Sequence, residues 1–350
     1  MKTPIFIVLW FLGNSLQAKV KPEIFVPADD PNFTYTGRFD FSDKKQPAFM
    51  YSGCAIRTVF EGSFVELFMK DDSLRNMFTV IIDDSLFVLR TNKKEGHYLL
   101  ADNLGKGKHN LEIFRRTEWH GGNTVFMGLY LEKGGKLYMP EVKLRKTEFI
   151  GDSYTCGYGN EGRSRDEDFR YETENNYMTY GAISARAMNA EYLTVCRSGI
   201  GMFQGYGGGK DFNMPGLYDE VVLNKNLTWD YSLYQPQLVV IDLGGNDLSA
   251  ALDTDKFIQA YLGFLARVRK NYPFAKIVCV AGPSSEGDDW QEWRSMIHTV
   301  VNQARDSDDA VYYFEFSTFE PNGSDWHPNV EEHIGMAEEL TPFLEVLMDW

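Results

Sequence analysis

Two textures of apolar and polar residues divide the chain. From about Phe33 to Glu148, short runs rich in Phe, Tyr, Val, Ile and Thr are broken by Gly, Asn, Asp and Lys. Ala55 to Phe60, Ser63 to Met69, Phe78 to Asp83, Leu86 to Arg90, Gly107 to Arg115 and Val125 to Leu131 have the length and composition of strands. Gly62, Asp83-Asp84 and Gly134-Gly135 lie between runs and supply turn backbone. The alternation in Ser63-Phe64-Val65-Glu66-Leu67-Phe68 predicts strands with one buried face. This half reads as a β-sandwich of jelly-roll-like type.

After Pro140 the texture changes. Leu193 to Cys196, Leu238 to Leu243 and Ile277 to Ala281 are continuous apolar runs, as in strands covered on both faces of a parallel sheet. Between them, Lys256 to Lys270 sets Phe257, Ala260, Tyr261, Phe264, Leu265 and Val268 on one helical stripe, with Thr254 as cap and Tyr272-Pro273 as stop. Trp290 to Arg305 and Glu331 to Met348 read as helices too, the second kinked or divided at Pro342. The second half is predicted to be a three-layer α/β domain. We place the division near Lys146, giving a β-sandwich over 25–146 and an α/β domain over 147–350, closely abutting.

Residues 1–18 have the shape of a secretory signal peptide, with Lys2, an apolar run from Pro4 to Leu12 and a small residue, Ala18, at the expected cut. That run is too short to cross a bilayer, and no other approaches the roughly 20 apolar residues required. The mature protein is therefore expected to be exported, with no membrane partner. At 350 residues, 43% hydrophobic and 15% aromatic, it is a folded globular chain. A formal net charge of −15 argues against a nucleic-acid partner, since such binding needs Lys and Arg against phosphates; a neutral glycan or small ester suits it better. Cys54, Cys156, Cys196 and Cys279 are widely spaced, with no Cys-x-x-Cys pair and no nearby histidine, so no metal is expected. They read as small buried residues, although export would permit one bridge. Asn32-Phe-Thr34, Asn226-Leu-Thr228 and Asn322-Gly-Ser324 fit the N-glycosylation pattern, which matters only in a eukaryotic host.

Four segments carry the candidate chemistry. Thr147 to Ser153 is an apolar strand end running into Gly151-Asp152-Ser153, which would expose a serine hydroxyl at the sheet edge where α/β proteins bind ligands. Ser198-Gly199-Ile200-Gly201 follows a second strand, and its glycines let a backbone amide approach a ligand. Leu243-Gly244-Gly245-Asn246-Asp247 follows a third, where an asparagine amide can face a developing oxyanion. Ser324-Asp325-Trp326-His327-Pro328-Asn329 brings the imidazole that a serine needs as its base. His327 is the only loop histidine of this half; His298 and His333 fall in helical patterns, and His97, His109 and His120 in the β-rich half. Taken singly, the first three segments are equally ordinary turns. Trp229, Trp290, Trp293 and Trp326 are candidate sugar platforms or core residues, with Trp326 favoured at the site and Trp293 in the core.

In this order the four segments resemble the SGNH hydrolase superfamily. The layout resembles the family 2 carbohydrate esterases within it, as do Gly151 to Glu161, Trp229-Asp230-Tyr231 before Gln235-Pro236, and Asp325-Trp326-His327-Pro328. The resemblance implies acetyl ester hydrolysis on xylan or related plant polysaccharides, with no cofactor. It implies Ser153 as nucleophile, His327 as base, and the Ser153 amide, Gly199 amide and Asn246 side chain as oxyanion donors. Trp326, Trp229 and Asp325 are the candidate substrate contacts. The superfamily sets an aspartate three residues before the histidine, but that position is Ser324 here and Asp325 stands two before. Either Asp325 or a backbone carbonyl orients His327. The rival readings are another SGNH lipase, thioesterase or cell-wall deacetylase, or a non-catalytic carbohydrate-binding protein.

Overall fold

The computed structural model describes residues 24–222, 226–283 and 287–350. Two antiparallel sheets are built from β1 (Ile24–Pro27), β2 (Thr34–Thr36), β3 (Ala48–Phe49), β4 (Ala55–Glu61), β5 (Val65–Asp71), β6 (Met77–Ile82), β7 (Ser85–Arg90), β8 (Glu95–Ala101), β9 (Lys108–Arg115), β10 (Thr124–Leu131) and β11 (Lys136–Tyr138). One sheet runs β1-β10-β5-β8 with β3 on β10, the other β11-β4-β9-β6-β7 with β2 on β4. In β5, Val65, Leu67 and Met69 are buried while Glu66, Phe68 and Lys70 are partly open, so the alternation sets the face. These side chains and Phe126 meet Ile56, Phe60, Phe78, Val80 and Ile113 of the other sheet in one core. The six runs expected as strands are strands, with ends shifted by a residue or two.

The chain then enters a parallel sheet through β12 (Arg145–Gly151). Along the chain follow α1 (Ser153–Cys156), α2 (Tyr180–Ala187), β13 (Ala190–Cys196), α3 (Met214–Leu217), β14 (Leu238–Asp242), α4 (Thr254–Asn271), β15 (Lys276–Ala281), α5 (Asp288–Ala304), β16 (Val311–Glu315) and α6 (Val330–Met348). The strand order is β13-β12-β14-β15-β16, every pair parallel. Both faces are covered, which is why the central strands β14 and β15 carry the continuous apolar runs Leu238 to Ile241 and Ile277 to Ala281. Leu238 and Val240 of β14 pack with residues of α2 and α6, whereas Val239 and Ile241 pack with residues of α4 and α5.

Two local expectations are corrected. The cap of α4 is Asp253, whose carboxylate accepts the Lys256 amide at 3.2 Å; Thr254 is already the first helical residue. The reason is reach, since a carboxylate at that position meets the third helical amide. Likewise Pro342 does not divide the last helix, which runs from Val330 to Met348 through it. Buried Leu340 and Leu344 hold the helix on either side, and the Thr341 hydroxyl hydrogen-bonds Ser184 of α2 at 2.9 Å.

The two domains share polar contacts as well as core. Arg38, fully buried, pairs with Glu148 of β12 at 3.4 Å and donates to the carbonyls of Tyr218 and Glu220. Its guanidinium lies 4.8 Å from the Tyr218 ring centre and 5.5 Å from that of Trp229. All four cysteines are buried and free.

Candidate active site

The site lies at the carboxyl edge of the parallel sheet. Gly151 pairs in register with both Cys196 and Asp242, so β12, β13 and β14 end at one level and their loops leave side by side. Sequence order reverses around β12, which opens a crevice there. After β12 the chain turns at once into α1: Asp152 caps the helix, its Oδ1 accepting the Tyr154 amide at 3.1 Å, and Ser153 is the first helical residue. Only glycine permits this turn, because a Cβ on Gly151 would stand 2.0 Å from Thr155 Oγ1.

Ser153 Oγ lies 2.9 Å from His327 Nε2. The other ring nitrogen, Nδ1, lies 2.8 Å from the carbonyl oxygen of Asp325. A carbonyl only accepts, so in the neutral ring Nδ1 carries the proton and Nε2 is left to accept from the serine. The Asp325 carboxylate points elsewhere, taking hydrogen bonds from the Tyr158 hydroxyl at 3.0 Å and the Phe169 amide at 3.1 Å. Of the two orienting groups considered from sequence, the geometry places the backbone carbonyl against the imidazole. The loop is not extended: Asp325 and Trp326 both have left-handed backbone (φ 51° and 61°). Its amides are tied down: Ser324 donates to Gly159 O at 2.9 Å, Asp325 to Glu167 O at 3.0 Å, and Gly323 to His327 O at 2.7 Å.

The imidazole is half-buried between two rings, with centroids at 4.4 Å for Tyr158 and 5.5 Å for Tyr154. Desolvation pulls its pKa below the ordinary histidine value, while the Asp325 carbonyl opposes that shift. His333, buried in α6, is pushed down to about 3 by burial and stays neutral. Burial also pushes the Asp152 carboxyl up to about 7, against the hydrogen bond from the Tyr154 amide.

The third loop is bound to the second. Asp247 accepts the amides of Met202, Phe203 and Gln204 at 2.7 to 2.8 Å, and burial raises its pKa to about 6. Asn246 Nδ2 donates to Ile200 O at 2.9 Å and to Asp152 Oδ2 at 3.0 Å. Both protons of that amide are therefore engaged within the protein. The Ser153 and Gly199 amides, in contrast, have no acceptor among the described residues. Gly199 adopts φ +77°, a backbone open to glycine.

A cavity of about 300 Å³ opens over the pair, lined by Asp152, Ser153, Asn246, Trp293, Trp326 and His327, with Tyr206 at its mouth; Gly199 is not part of its wall. Trp326 is 55% exposed, with the Arg165 guanidinium 4.5 Å from its ring centre. Trp229 is corrected as a substrate contact: it is 6% exposed and packs in the core beside Arg38, because the loop carrying it folds against the β domain rather than toward the edge. Trp293 is buried as expected, yet it also floors the cavity, pressed against Gly244 and Gly245. Tyr154, Tyr158 and Tyr206 were not singled out from sequence. The first two stand inside the run Gly151 to Glu161, so a signal for them was present.

A serine-histidine pair at the edge of a five-stranded parallel sheet, with loops converging from three strands, defines a GDSL-type acylhydrolase. Residues 149–333 match the model of the GDSL-like lipase/acylhydrolase family, and residues 35–140 match the carbohydrate esterase 2 N-terminal model. The chain is 38% identical over 328 residues to the cellulase/esterase CelE of Acetivibrio thermocellus, covering 92% of this chain but 40% of that longer protein. To an acetylxylan esterase/glucomannan deacetylase of Cellvibrio japonicus it is 30% identical over 343 residues, covering 96% of this chain and 95% of the relative. A solved family two carbohydrate esterase from Clostridium thermocellum, in complex with cellohexaose, superimposes with a TM-score of 0.87 at 38% identity, over 91% of this chain and 99% of that one. The chain belongs to the family 2 carbohydrate esterases, which are carboxylic ester hydrolases.

Proposed function

We propose that this esterase removes acetyl groups from xylan, glucomannan or a related plant polysaccharide, with Ser153 as nucleophile and His327 as base. The observation that carries the reading is the 2.9 Å contact between Ser153 Oγ and His327 Nε2, in a ring whose other nitrogen is held by the Asp325 carbonyl at 2.8 Å. His327 takes the serine proton as Oγ attacks the acetyl carbonyl, then returns it to the departing sugar hydroxyl. Water, deprotonated by the same imidazole, attacks the acetyl-enzyme and releases acetate. The Ser153 and Gly199 amides meet the oxyanion; Asn246 joins them by giving up its bond to Asp152. Trp326, exposed at the cavity rim, offers an apolar face to a sugar ring. The polymers named for the Cellvibrio relative support the substrate class.

Export belongs to the same reading, with residues 1–18 as the leader and cleavage near Ala18. Those residues lie outside the described part, and no helix among the described residues is long and apolar enough to cross a membrane. The division of labour near Lys146, with sugar chemistry on 147–350, is likewise part of the proposal.

The test is acetate release from p-nitrophenyl acetate, acetylated xylan and acetylated glucomannan by the wild type and Ser153→Ala. Loss of turnover in Ser153→Ala, by on the order of 10³-fold or more, is the expected result. Retained turnover would refute the mechanism. Glycan binding by the wild type with no acetate released from any ester would instead favour a binding module.

A further inference from the structure

The β domain reaches into the catalytic edge through one side chain. Glu118, just after β9, is fully buried. Its carboxylate accepts the Ser198 amide at 2.8 Å and the Ser198 hydroxyl, and it faces the Cys156 thiol at 3.6 Å and His120 Nδ1 at 3.6 Å. Its own amide is held by Glu174 Oε1 at 3.0 Å, so the backbone bearing it is fixed as well. Burial alone would raise the Glu118 pKa, but the donors from His120 and Ser198 outweigh it and hold the group below the usual carboxylate range. The carboxylate is thus an anion with charge-assisted hydrogen bonds, among the stronger polar contacts a protein makes.

Two of these partners, Cys156 and Ser198, belong to segments of the site. Cys156 ends α1, three residues after Ser153, and Ser198 directly precedes Gly199. At φ +77° Gly199 has little backbone preference of its own, so the direction of its amide depends on how its neighbours are held. On the far side the Gly199 carbonyl accepts the Tyr206 amide at 2.8 Å. On the near side the anchor is Glu118. A second contact from the same β-domain segment reinforces it: the Arg197 guanidinium lies 4.8 Å from the Trp119 ring centre.

We propose that Glu118, carried by the N-terminal domain, is a positioning residue for ester hydrolysis, clamping Ser198 so that the Gly199 amide is held toward the oxyanion formed at Ser153. This rests on the reading of Gly199 as an oxyanion donor. Glu118 touches no substrate; it acts through Ser198. The β domain then completes the active site rather than only walling it.

The test uses the full-length protein and p-nitrophenyl acetate, comparing wild type, Glu118→Gln, Ser198→Ala and Ser153→Ala, with rates expressed per folded enzyme from thermal melts. Removing an oxyanion donor outright lowers kcat by about 10² to 10³; loosening one should cost less, so Glu118→Gln is expected to lose about tenfold in kcat with KM within about twofold. Ser198→Ala, which loses the hydroxyl and keeps the amide bond, is expected to lose about threefold. The acid limb of the pH profile should not move in Ser198→Ala, whereas Glu118→Gln removes a negative charge that raises the His327 pKa and should shift that limb slightly toward lower pH. If Ser153→Ala is inactive while Glu118→Gln and Ser198→Ala keep wild-type kcat, the positioning role is overturned and the mechanism stands. If Ser153→Ala itself turns over, the mechanism falls and the positioning role with it. Should Glu118→Gln fail to fold, the kcat of Ser198→Ala decides alone.

Discussion

His327 has a carbonyl where many serine hydrolases have a carboxylate, and this changes what each neighbouring residue is worth. In a triad, replacing the orienting aspartate by asparagine reverses the tautomer and costs on the order of 10⁴ in kcat. Here the Asp325 side chain bonds Tyr158 and Phe169 instead, and asparagine accepts left-handed backbone such as φ 51°. Asp325→Asn is expected to stay within about tenfold of wild-type kcat on p-nitrophenyl acetate; a loss near 10⁴ would show that the carboxylate orients the ring. The same desolvated imidazole sets the pH response. It must be neutral to act as base, and its lowered pKa keeps it neutral further into acid. The acid limb of kcat/KM, measured against pH, should therefore fall below the ordinary histidine value of about 6.5, with activity lost as pH drops through it.

At the scale of elements, the site depends on how strands stop and helices start. Gly151 and Asp152 convert the end of β12 into α1 within one residue, which sets the serine at the edge. The loop bearing His327 is fixed behind it by α6, whose Asn329 and Glu332 form a reciprocal capping box: Asn329 Oδ1 accepts the Glu332 amide at 2.9 Å, and Glu332 Oε2 accepts the Asn329 amide at 2.7 Å. Asn329→Ala should cost about 1 kcal/mol in denaturant-induced unfolding, a fair share of a single domain's stability. The helices were legible because their apolar period is local. At Pro342 the expectation failed because the decisive contacts are distant: α6 survives since Leu340, Leu344 and Thr341 are held by the sheet and α2; the cap of α4 was missed by one residue within its own first turn.

Across the whole molecule, the two domains are joined by buried charge. Arg38 from the sandwich and Glu148 from β12 are both fully buried at 3.4 Å. Such a pair adds little beyond a well-packed apolar substitute, but breaking it strands an ion. Arg38→Met should destabilise the protein by about 3 to 5 kcal/mol in urea unfolding, and adding Glu148→Met should recover much of that; equal stability of Arg38→Met and wild type would contradict the account. The apolar periods were enough to determine two domains and a parallel sheet, since each depends on residues near in sequence; the pairing of Ser153 with His327, 174 positions apart, was expected from the resemblance carried by four ordered motifs and not from any local pattern. Two left-handed residues turning a carbonyl toward His327, Trp229 sinking beside Arg38, and Glu118 crossing from one domain to the other's catalytic loop were decided only by tertiary structure. They depend on which distant segments meet when the chain packs, and no local pattern encodes a contact between residues 80 positions apart.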